Sequence, residues 1–485
     1  MGLRMKDCAE IMKVNGVHEI KRCWEVNGKY EINGKAVANG QPQGKQEARG
    51  KSMADSSALP VYSWEEIQKH NLKTDQWLVI KRKVYNVTKW AHRHPGGSRV
   101  LNHYAGEDAT DVFLAMHLDQ AVVQKYLKPL LIGELAPGEP SQEKNKNTQL
   151  VEDFRVLRKT IEDQKLLEPS LPFFSMHLLQ ILLLEALVWF ILRSFGSGWL
   201  ITMLISFLLT ISQAQASFLQ HDTGHLSIFK KSKWNHLMHY FVMGHLKGMS
   251  AKWWNYRHFQ HHAKPNIYPK DPDIDMGPLF VLGESQPVKY GKKKIKYIDY
   301  EKQHLYFYVV GLPLLMPVYF NMQSMQVTFL RKEWGELAWI ISFYIRYFIT
   351  YRSYYGIIGT VLLIYLVKLL ESPWIALVTQ MSHIPMKMSK EENQDWFSTQ
   401  VLATCNVKQS FFNDWFSGHL NFQIEHHLFP TMPRHNYYKI APLVRSLCAK
   451  HGIDYVNKPM LKAFGDIVRS LKKSGDLWVN AYYNT

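Results

Sequence analysis

Cysteine is scarce in this 485-residue chain, and the four cysteines that occur are far apart. Cys8, Cys23, Cys405 and Cys448 form no CxxC pair, which excludes a disulfide framework and a zinc site built from cysteines. The first sixty residues also lack an apolar run long enough for the hydrophobic region of a secretory signal peptide. These absences favour a protein that works in reducing surroundings.

The average composition fits no single class of protein. The mean hydropathy is -0.23, with 46% hydrophobic and 13% aromatic residues and a net charge of +17. A polytopic membrane protein would average well above zero, whereas a disordered chain would contain far fewer aromatic residues. We therefore expect soluble and membrane-embedded parts in one chain. Residues 1–60 are polar and rich in Asn-Gly pairs, and we predict that they form a disordered extension.

Short β-type runs alternate with helical segments over residues 61–137 and predict a small soluble α+β domain. This segment contains His94-Pro95-Gly96-Gly97, and His117 follows 23 positions after His94. Two imidazoles on opposite walls of an apolar slot would hold a six-coordinate haem, which is suited to electron transfer. The segment resembles cytochrome b5 in this motif and in its second histidine. The resemblance implies that His94 and His117 are the axial ligands of haem b.

Hydrophobic stretches dominate the chain after a charged segment, 138–170, which we interpret as a linker. Each is long enough to cross a bilayer, which takes about 20 residues, and they lie at about 172–192, 194–220, 305–330 and 337–367. The last consists of two weaker candidates, and we expect one of the later segments to be interfacial. Lysine and arginine are frequent after the second stretch, which places that side and both termini in the cytosol. We predict a multi-pass α-helical membrane protein with an N-terminal α+β haem domain.

Histidine is abundant, and three clusters of it lie near the ends of the hydrophobic stretches. They are His221 and His225, then His258, His261 and His262, then His426 and His427. Residues three or four apart project from one face of a helix, so each cluster directs its imidazoles one way. Seven imidazoles are more than one metal can use, and the scarcity of thiolate and oxygen donors excludes structural zinc and calcium sites. Beside a haem electron donor, the pattern predicts a di-iron centre that activates O2 to attack an alkyl C–H bond.

The stretches around the second and third clusters, Trp253–Asn266 and Trp415–Asn436, resemble front-end fatty acyl desaturases of the vertebrate type. These enzymes are fused to their own cytochrome b5 domain. The resemblance identifies residues 171–485 as the membrane-embedded desaturase domain. It also implies a catalytic role for Gln423, which replaces the first histidine of the third cluster and marks the front-end group. By analogy with stearoyl-CoA desaturases, His383 is implied as an eighth metal ligand.

The resemblance implies an enzyme of the endoplasmic reticulum membrane with its active site in the cytosol. It would take electrons from NADH through cytochrome b5 reductase and the haem, and would use O2 as co-substrate. The product would carry a new cis double bond between an existing double bond and the carboxyl end of a polyunsaturated acyl-CoA. Likeness around Phe280–Glu284 favours delta-6 specificity for linoleoyl- or α-linolenoyl-CoA.

Several alternatives stay open at the level of the sequence. Delta-5 or dual delta-5/delta-6 desaturation would use the same motifs. A sphingolipid desaturase or a fatty acid hydroxylase has similar histidine clusters, although Gln423 and the length of the match count against both. A membrane haem or metal-binding protein without catalysis is an alternative from another class. We expect no nucleic-acid partner.

Overall fold

The computed structural model describes residues 59–143, 146–390 and 394–484. Nearly all of the predicted N-terminal extension therefore lies outside the described residues. The strands and helices below are numbered in chain order.

The N-terminal domain contains one five-stranded sheet and four short helices. Its strands are β1 (Val61–Tyr62), β2 (Asn71–Leu72), β3 (Asp75–Ile80), β4 (Lys83–Asn86) and β5 (Leu131–Leu135), arranged in the order β1-β5-β4-β3-β2. Only β1 and β5 pair in parallel. The helices are α1 (Trp64–Ile67), α2 (Ser98–Asn102), α3 (Thr110–Met116) and α4 (Gln120–Leu127). The predicted small α+β domain is confirmed.

The segment interpreted as a linker contains helix α5 (Thr148–Asp163). The Asn147 side chain caps this helix and accepts a hydrogen bond from the backbone N–H of Leu150 at 3.1 Å. Leu150, Phe154 and Ile161 are fully buried, because their spacing places them on one face of the helix. Much of the predicted linker is therefore a packed helix and not a solvent-exposed charged segment.

Two long apolar helices follow, α6 (Leu171–Phe195) and α7 (Trp199–Gly224). Gly196 ends α6 with a φ of 74°, a left-handed backbone that glycine adopts at little cost. The connection is only three residues long, so the helices run antiparallel. They correspond to the first two predicted spans.

The chain then passes through helices α8 (Ser232–His239), α9 (Ala251–Ala263) and α10 (Ser285–Lys292), with strand β6 (Ile267–Tyr268) between the last two. The next apolar helical stretch, α11 (Tyr300–Leu330), is irregular. Two π-helical turns interrupt it around Pro313 and Pro317, since proline lacks a backbone donor and clashes within a helix. The sequence predicts a kink at these prolines.

The helical run α12 (Trp334–Gln380) reverses direction at Gly356, where φ is 68° and ψ is -172°. Lys368 Nζ lies 5.4 Å from the centroid of the Phe343 ring, whereas a straight helix would separate these residues by about 37 Å. The two arms of α12 therefore form a second antiparallel hairpin. The two weaker candidates within the predicted stretch 337–367 belong to different arms.

The C-terminal region adds five helices and completes two small sheets. The helices are α13 (Trp396–Leu402), α14 (Phe411–Ser417), α15 (Gln423–Leu428), α16 (Tyr437–Lys450) and α17 (Met460–Tyr483). Strand β7 (Ser389–Lys390) pairs in parallel with β6, and β8 (Asn406–Val407) pairs in parallel with β9 (Asn457–Lys458). These pairs connect segments that are far apart in the sequence.

One hydrophobic cluster extends from the N-terminal domain into the C-terminal region. It includes Tyr104 and Phe113 of the N-terminal domain, Phe154 of α5, and Phe429 and Ile440 beyond the third histidine cluster. The ring centroids of Phe154 and Phe429 are 5.5 Å apart. The N-terminal domain is therefore packed directly on the segments that carry histidine clusters.

Candidate metal and haem sites

Five imidazoles from α7, α9, α15 and the residue after α7 meet in one group, here called the five-histidine group. They are His221, His225, His258, His262 and His426, and their ligand atoms all lie within 4.8 Å of one another. Nε2 of His258 is 3.1 Å from that of His221, 2.9 Å from that of His225 and 3.1 Å from that of His262. Two ligands at right angles on one metal, with bonds of about 2.1 Å, are about 3.0 Å apart. These distances suit imidazoles that share one metal ion.

Three further imidazoles, His261, His383 and His427, form a second group beside the first. The ring centroid of His261 is 4.5 Å from that of His383 and 4.9 Å from that of His427. The two groups touch, because the rings of His262 and His427 stack with centroids 4.2 Å apart. All eight histidines predicted as metal ligands thus lie in two adjacent groups. His383 reaches the second group because it closely follows the end of α12.

Gln423, the predicted catalytic residue, lies beside this three-histidine group. Its Nε2 is 2.9 Å from Nε2 of His383. Its Oε1 is buried and has no hydrogen-bond partner among the described residues. The side chain therefore adds a fourth polar group, with a free acceptor, to a site that has only three imidazoles.

In three of the eight histidines, a polar side chain holds the ring nitrogen that points away from the two groups. Three such contacts join His261 Nδ1 to Asp271 Oδ2 at 2.9 Å, His426 Nδ1 to Tyr437 Oη at 3.0 Å, and His427 Nδ1 to Gln400 Oε1 at 2.9 Å. They leave Nε2 of each ring directed inward. Nε2 of His426 and of His427 is buried and without a hydrogen-bond partner among the described residues. An unpaired buried nitrogen is costly, and a metal ion in each group would bind the Nε2 of its histidine. This donor set therefore fits two ions that accept imidazole ligands.

Burial keeps most of these imidazoles neutral, the form that binds a metal. It lowers the pKa of His383 to about 3 and that of His427 well below the ordinary value. For His261 burial also opposes the charged form, but the Asp271 carboxylate outweighs it and the pKa is raised. His261 is therefore the ring of the three-histidine group whose pKa is raised, whereas the pKa values of His383 and His427 are lowered.

The sequence analysis missed Asp271, Gln400 and Tyr437. Metal-binding histidines commonly donate their second ring nitrogen to a carboxylate. Asp271 follows His262 by nine positions, so a search for such a partner near the second histidine cluster could have found it. Gln400 and Tyr437 have no signal of this kind, because nothing in their local sequence distinguishes them from other amide and phenol side chains.

Other histidines near the clusters, which the sequence analysis left unassigned, make different contacts. His239 Nε2 is 2.9 Å from Gln220 Oε1. His435 Nε2 accepts a hydrogen bond from the backbone N–H of Ser170 at 3.0 Å. Neither belongs to any of the three groups of metal-binding geometry found in the described part of the chain, the third of which is His261 with Asp271 and Asp273.

In the N-terminal domain, His94 and His117 face each other with ring centroids 6.1 Å apart. Their Nδ1 atoms lie 3.3 Å from the Gly97 carbonyl and 2.9 Å from the Phe113 carbonyl, so each Nε2 is left free. Two imidazoles on opposite sides of an iron with bonds of about 2.0 Å would place their centroids about 6 Å apart. Burial lowers the pKa of His94 to about 4 and also lowers that of His117. The pair fits a haem iron.

An apolar cavity of about 160 Å³ reaches both histidine groups. His221 and His258 of the five-histidine group line it together with His261 and His383 of the three-histidine group, and so does Gln423. Most of the remaining wall is apolar and comes from α7, α9, α11, α12 and α17. An apolar chain in this cavity would contact both groups.

Residues 197–459, which contain all eight grouped histidines and Gln423, match the family "Fatty acid desaturase". The chain belongs to the fatty acid desaturase family. Residues 63–136 match the family "Cytochrome b5-like Heme/Steroid binding domain", so the desaturase carries its own haem-binding domain. The resemblance drawn from the motifs is confirmed. The desaturase family implies iron, and the cytochrome b5 family implies haem.

Three known proteins match this chain over most of their own length. The desaturase is 76% identical over 425 residues to a fatty acid desaturase 2-like protein, FADS2B, of Mus musculus, covering 88% of this chain and 87% of the relative. A Homo sapiens relative, also designated FADS2B, is 69% identical over 431 residues, covering 88% and 89%. A solved cytochrome b5 of Ostreococcus tauri virus 2 is 41% identical, covering 15% of this chain and 94% of its own, with a TM-score of 0.15.

Proposed function

We propose that the protein is a front-end fatty acyl-CoA desaturase. It inserts a cis double bond between an existing double bond and the carboxyl end of a polyunsaturated acyl-CoA. The meeting of two histidine groups on the wall of one apolar cavity is the observation that carries the proposal. Gln423, the mark of the front-end resemblance, lines the same cavity.

Two iron ions at the histidine groups would supply the reductive activation of O2 that attack on an unactivated C–H bond requires. Overall, one O2, two electrons and two protons would be consumed as the acyl chain loses two hydrogens and two waters form. The residues of the protein orient the reactants. Asp271, Tyr437 and Gln400 fix the imidazoles, and the apolar wall holds the alkyl chain beside them and excludes water.

Electrons would reach this site from NADH through cytochrome b5 reductase and a haem, which His94 and His117 would hold. A haem held by both imidazoles would supply electron transfer and would not bind O2. The packing of the haem domain on the histidine-bearing segments supports delivery within one chain.

Delta-6 specificity for linoleoyl- and α-linolenoyl-CoA is the regiochemistry we favour. The supporting likeness lies around Phe280–Glu284, and Phe280 and Leu282 line the cavity that reaches the histidine groups. These residues could therefore affect how far an acyl chain advances. Delta-5 and dual activity are the alternatives.

The membrane of the endoplasmic reticulum is the location we propose, with the histidine groups on the cytosolic side. Each hairpin, α6–α7 and the two arms of α12, returns the chain to the side it left. Clusters before and after α11 meet in one site, so α11 makes no net crossing and is the interfacial segment. The many lysines near the clusters support a cytosolic location.

Expression in yeast fed with linoleate or α-linolenate tests the proposal. We expect gas chromatography with mass spectrometry to detect the delta-6 product with the intact protein and no product with His261→Ala. Fatty acid profiles that the intact protein leaves unchanged would refute the desaturase proposal. Feeding longer polyunsaturated acids tests delta-5 activity, and hydroxylated acids or altered sphingolipids would point to the alternative enzymes.

A further inference from the structure

Two residues that directly follow the second histidine cluster hold the haem domain. Tyr104 Oη donates a hydrogen bond to the Ala263 carbonyl at 2.7 Å. Lys264 Nζ lies 3.0 Å from Glu107 Oε2 and 4.5 Å from the centroid of the Tyr104 ring. Tyr104 and Lys264 are 7% and 3% exposed. Because removal of one partner would leave a buried charge uncompensated, these contacts favour one fixed arrangement of the domain.

The loop of the first haem ligand packs on the same helix, α9. A Cβ atom added at Gly96, two residues after His94, would lie 3.4 Å from Cδ2 of Phe259. The Phe259 ring centroid is 6.4 Å from that of His225 in the five-histidine group. A single aromatic ring therefore lies between the loop of a haem ligand and a histidine of the metal site.

The segment of the second haem ligand also contacts a histidine-bearing segment. Thr431 Oγ1 donates a hydrogen bond to the Ala115 carbonyl at 3.1 Å. Ala115 comes shortly before His117, and Thr431 shortly after His427. Both haem-ligand segments are thus fixed by contacts with the desaturase domain.

We infer that Tyr104, Glu107 and Lys264 are positioning residues that hold the haem domain for electron transfer within the chain. Phe259 fills the space between the loop of His94 and His225 of the five-histidine group. This inference rests on the proposed function. With haem and iron bound, one electron would pass from the ferrous haem to one ferric ion held by the histidine groups, with no bond formed and no proton moved. Electron transfer slows steeply as a gap widens, so a domain held in contact transfers electrons faster than one on a flexible tether.

Haem re-oxidation in the full-length, haem- and iron-loaded protein tests the inference. The haem is reduced without O2 by NADH and cytochrome b5 reductase, then mixed with O2 and linoleoyl-CoA while its absorbance is followed. Glu107→Gln is expected to slow re-oxidation by about tenfold or more, the loss expected when a buried charge pair no longer holds the docked state. Its haem spectrum and its rate of reduction by the reductase should not change.

Glu134→Gln is the matched control, because Glu134 is an exposed residue of β5 in the same domain. It should re-oxidise at the rate of the unsubstituted protein. Tyr104→Phe removes only the hydroxyl that binds Ala263 and should also slow re-oxidation, which supplies a test if Glu107→Gln folds poorly. Rates equal to that of the control in both variants would overturn the inference.

Hydrogen exchange of the full chain gives a readout that does not depend on metal loading. Glu107→Gln should increase exchange in α9, and Glu134→Gln should not. Equal exchange in both variants would also overturn the inference. Rapid re-oxidation without a desaturated product from the intact protein would refute the proposed function instead, and the comparison of rates would still test the positioning residues.

Discussion

His261 Nδ1 lies 2.9 Å from Asp271 Oδ2, and the Asp271 carboxylate is fully buried. The same oxygen accepts a hydrogen bond from the backbone N–H of Asn266 at 2.8 Å. A carboxylate fixed in this way sets the orientation and tautomer of the ring and makes it a stronger ligand. Asp271 therefore supports the three-histidine group although it is not one of its imidazoles.

Asp271→Asn is expected to weaken iron binding about 10- to 100-fold, the usual cost of losing such a partner. Metal analysis after dialysis against a chelator measures the iron left per chain, and the haem absorbance should stay the same. Asp275→Asn is the control, because Asp275 is an exposed residue of the same loop and belongs to none of the groups with metal-binding geometry in the described part of the chain. Equal loss of iron in the two variants would contradict a specific role for Asp271.

Gln423→Leu should lower the iron content from two ions towards one per chain. The three-histidine group has few imidazoles, and Gln423 adds a polar group 2.9 Å from His383 Nε2. An apolar side chain at this position leaves that site with only three donors. Gln380→Leu makes the same change elsewhere on the wall of the same cavity and should retain both ions. Full iron content in Gln423→Leu would show that the amide does not contribute to metal retention.

The sequence could predict the histidine clusters because their spacing is local to single helices. His383 is isolated in the sequence, and only the family resemblance assigned it to the metal site. Arg352 and Ser353 stand just before Gly356 and separate the two weaker hydrophobic candidates, so the sequence indicates a break there. The reversal itself is shown by contacts such as that of Lys368 with Phe343. Packing of the haem domain was equally hidden, since Tyr104 and Ala263 are 159 positions apart.

Acid should remove haem only well below pH 6.5, because burial lowers the pKa of His94 to about 4 and also lowers that of His117. An unfolded histidine takes up its proton near pH 6.5, so the unfolded chain binds more protons than the folded one between this pH and about 4. The free energy of unfolding therefore decreases as the pH falls through that window.

Haem absorbance recorded against pH measures retention, and urea unfolding at pH 7 and pH 5 measures the change in stability. We expect an unchanged spectrum at pH 5.5 together with easier unfolding at the lower pH. Haem loss with a midpoint near pH 6.5 would mean that the two imidazoles are as open to protons as those of an unfolded chain.

Lys247 and Glu371 form an ion pair within the apolar part of the protein, with Nζ 2.5 Å from Oε1 and side chains 1% and 0% exposed. Ser217 Oγ donates to the same carboxylate oxygen at 2.8 Å. Lys247→Met removes the ion-pair partner of Glu371, although a second buried lysine, Lys368, stays nearby. We expect this variant to lose about 3–5 kcal/mol of unfolding free energy, visible as a lower melting temperature in detergent.

The double variant Lys247→Met/Glu371→Leu should regain part of this loss, since apolar residues of similar volume often replace a buried ion pair without cost, while buried Lys368 loses the nearby Glu371 carboxylate. Lys252→Met is the control for an exposed pair, because Lys252 is 43% exposed beside Glu333, and it should change stability by at most about 1 kcal/mol. The single variant is unstable because it buries an unpaired carboxylate, and the double variant removes that carboxylate. If the double variant were as unstable as the single one, the instability of Lys247→Met would not come from its buried unpaired carboxylate. The ion pair itself would then stabilise the helices around it.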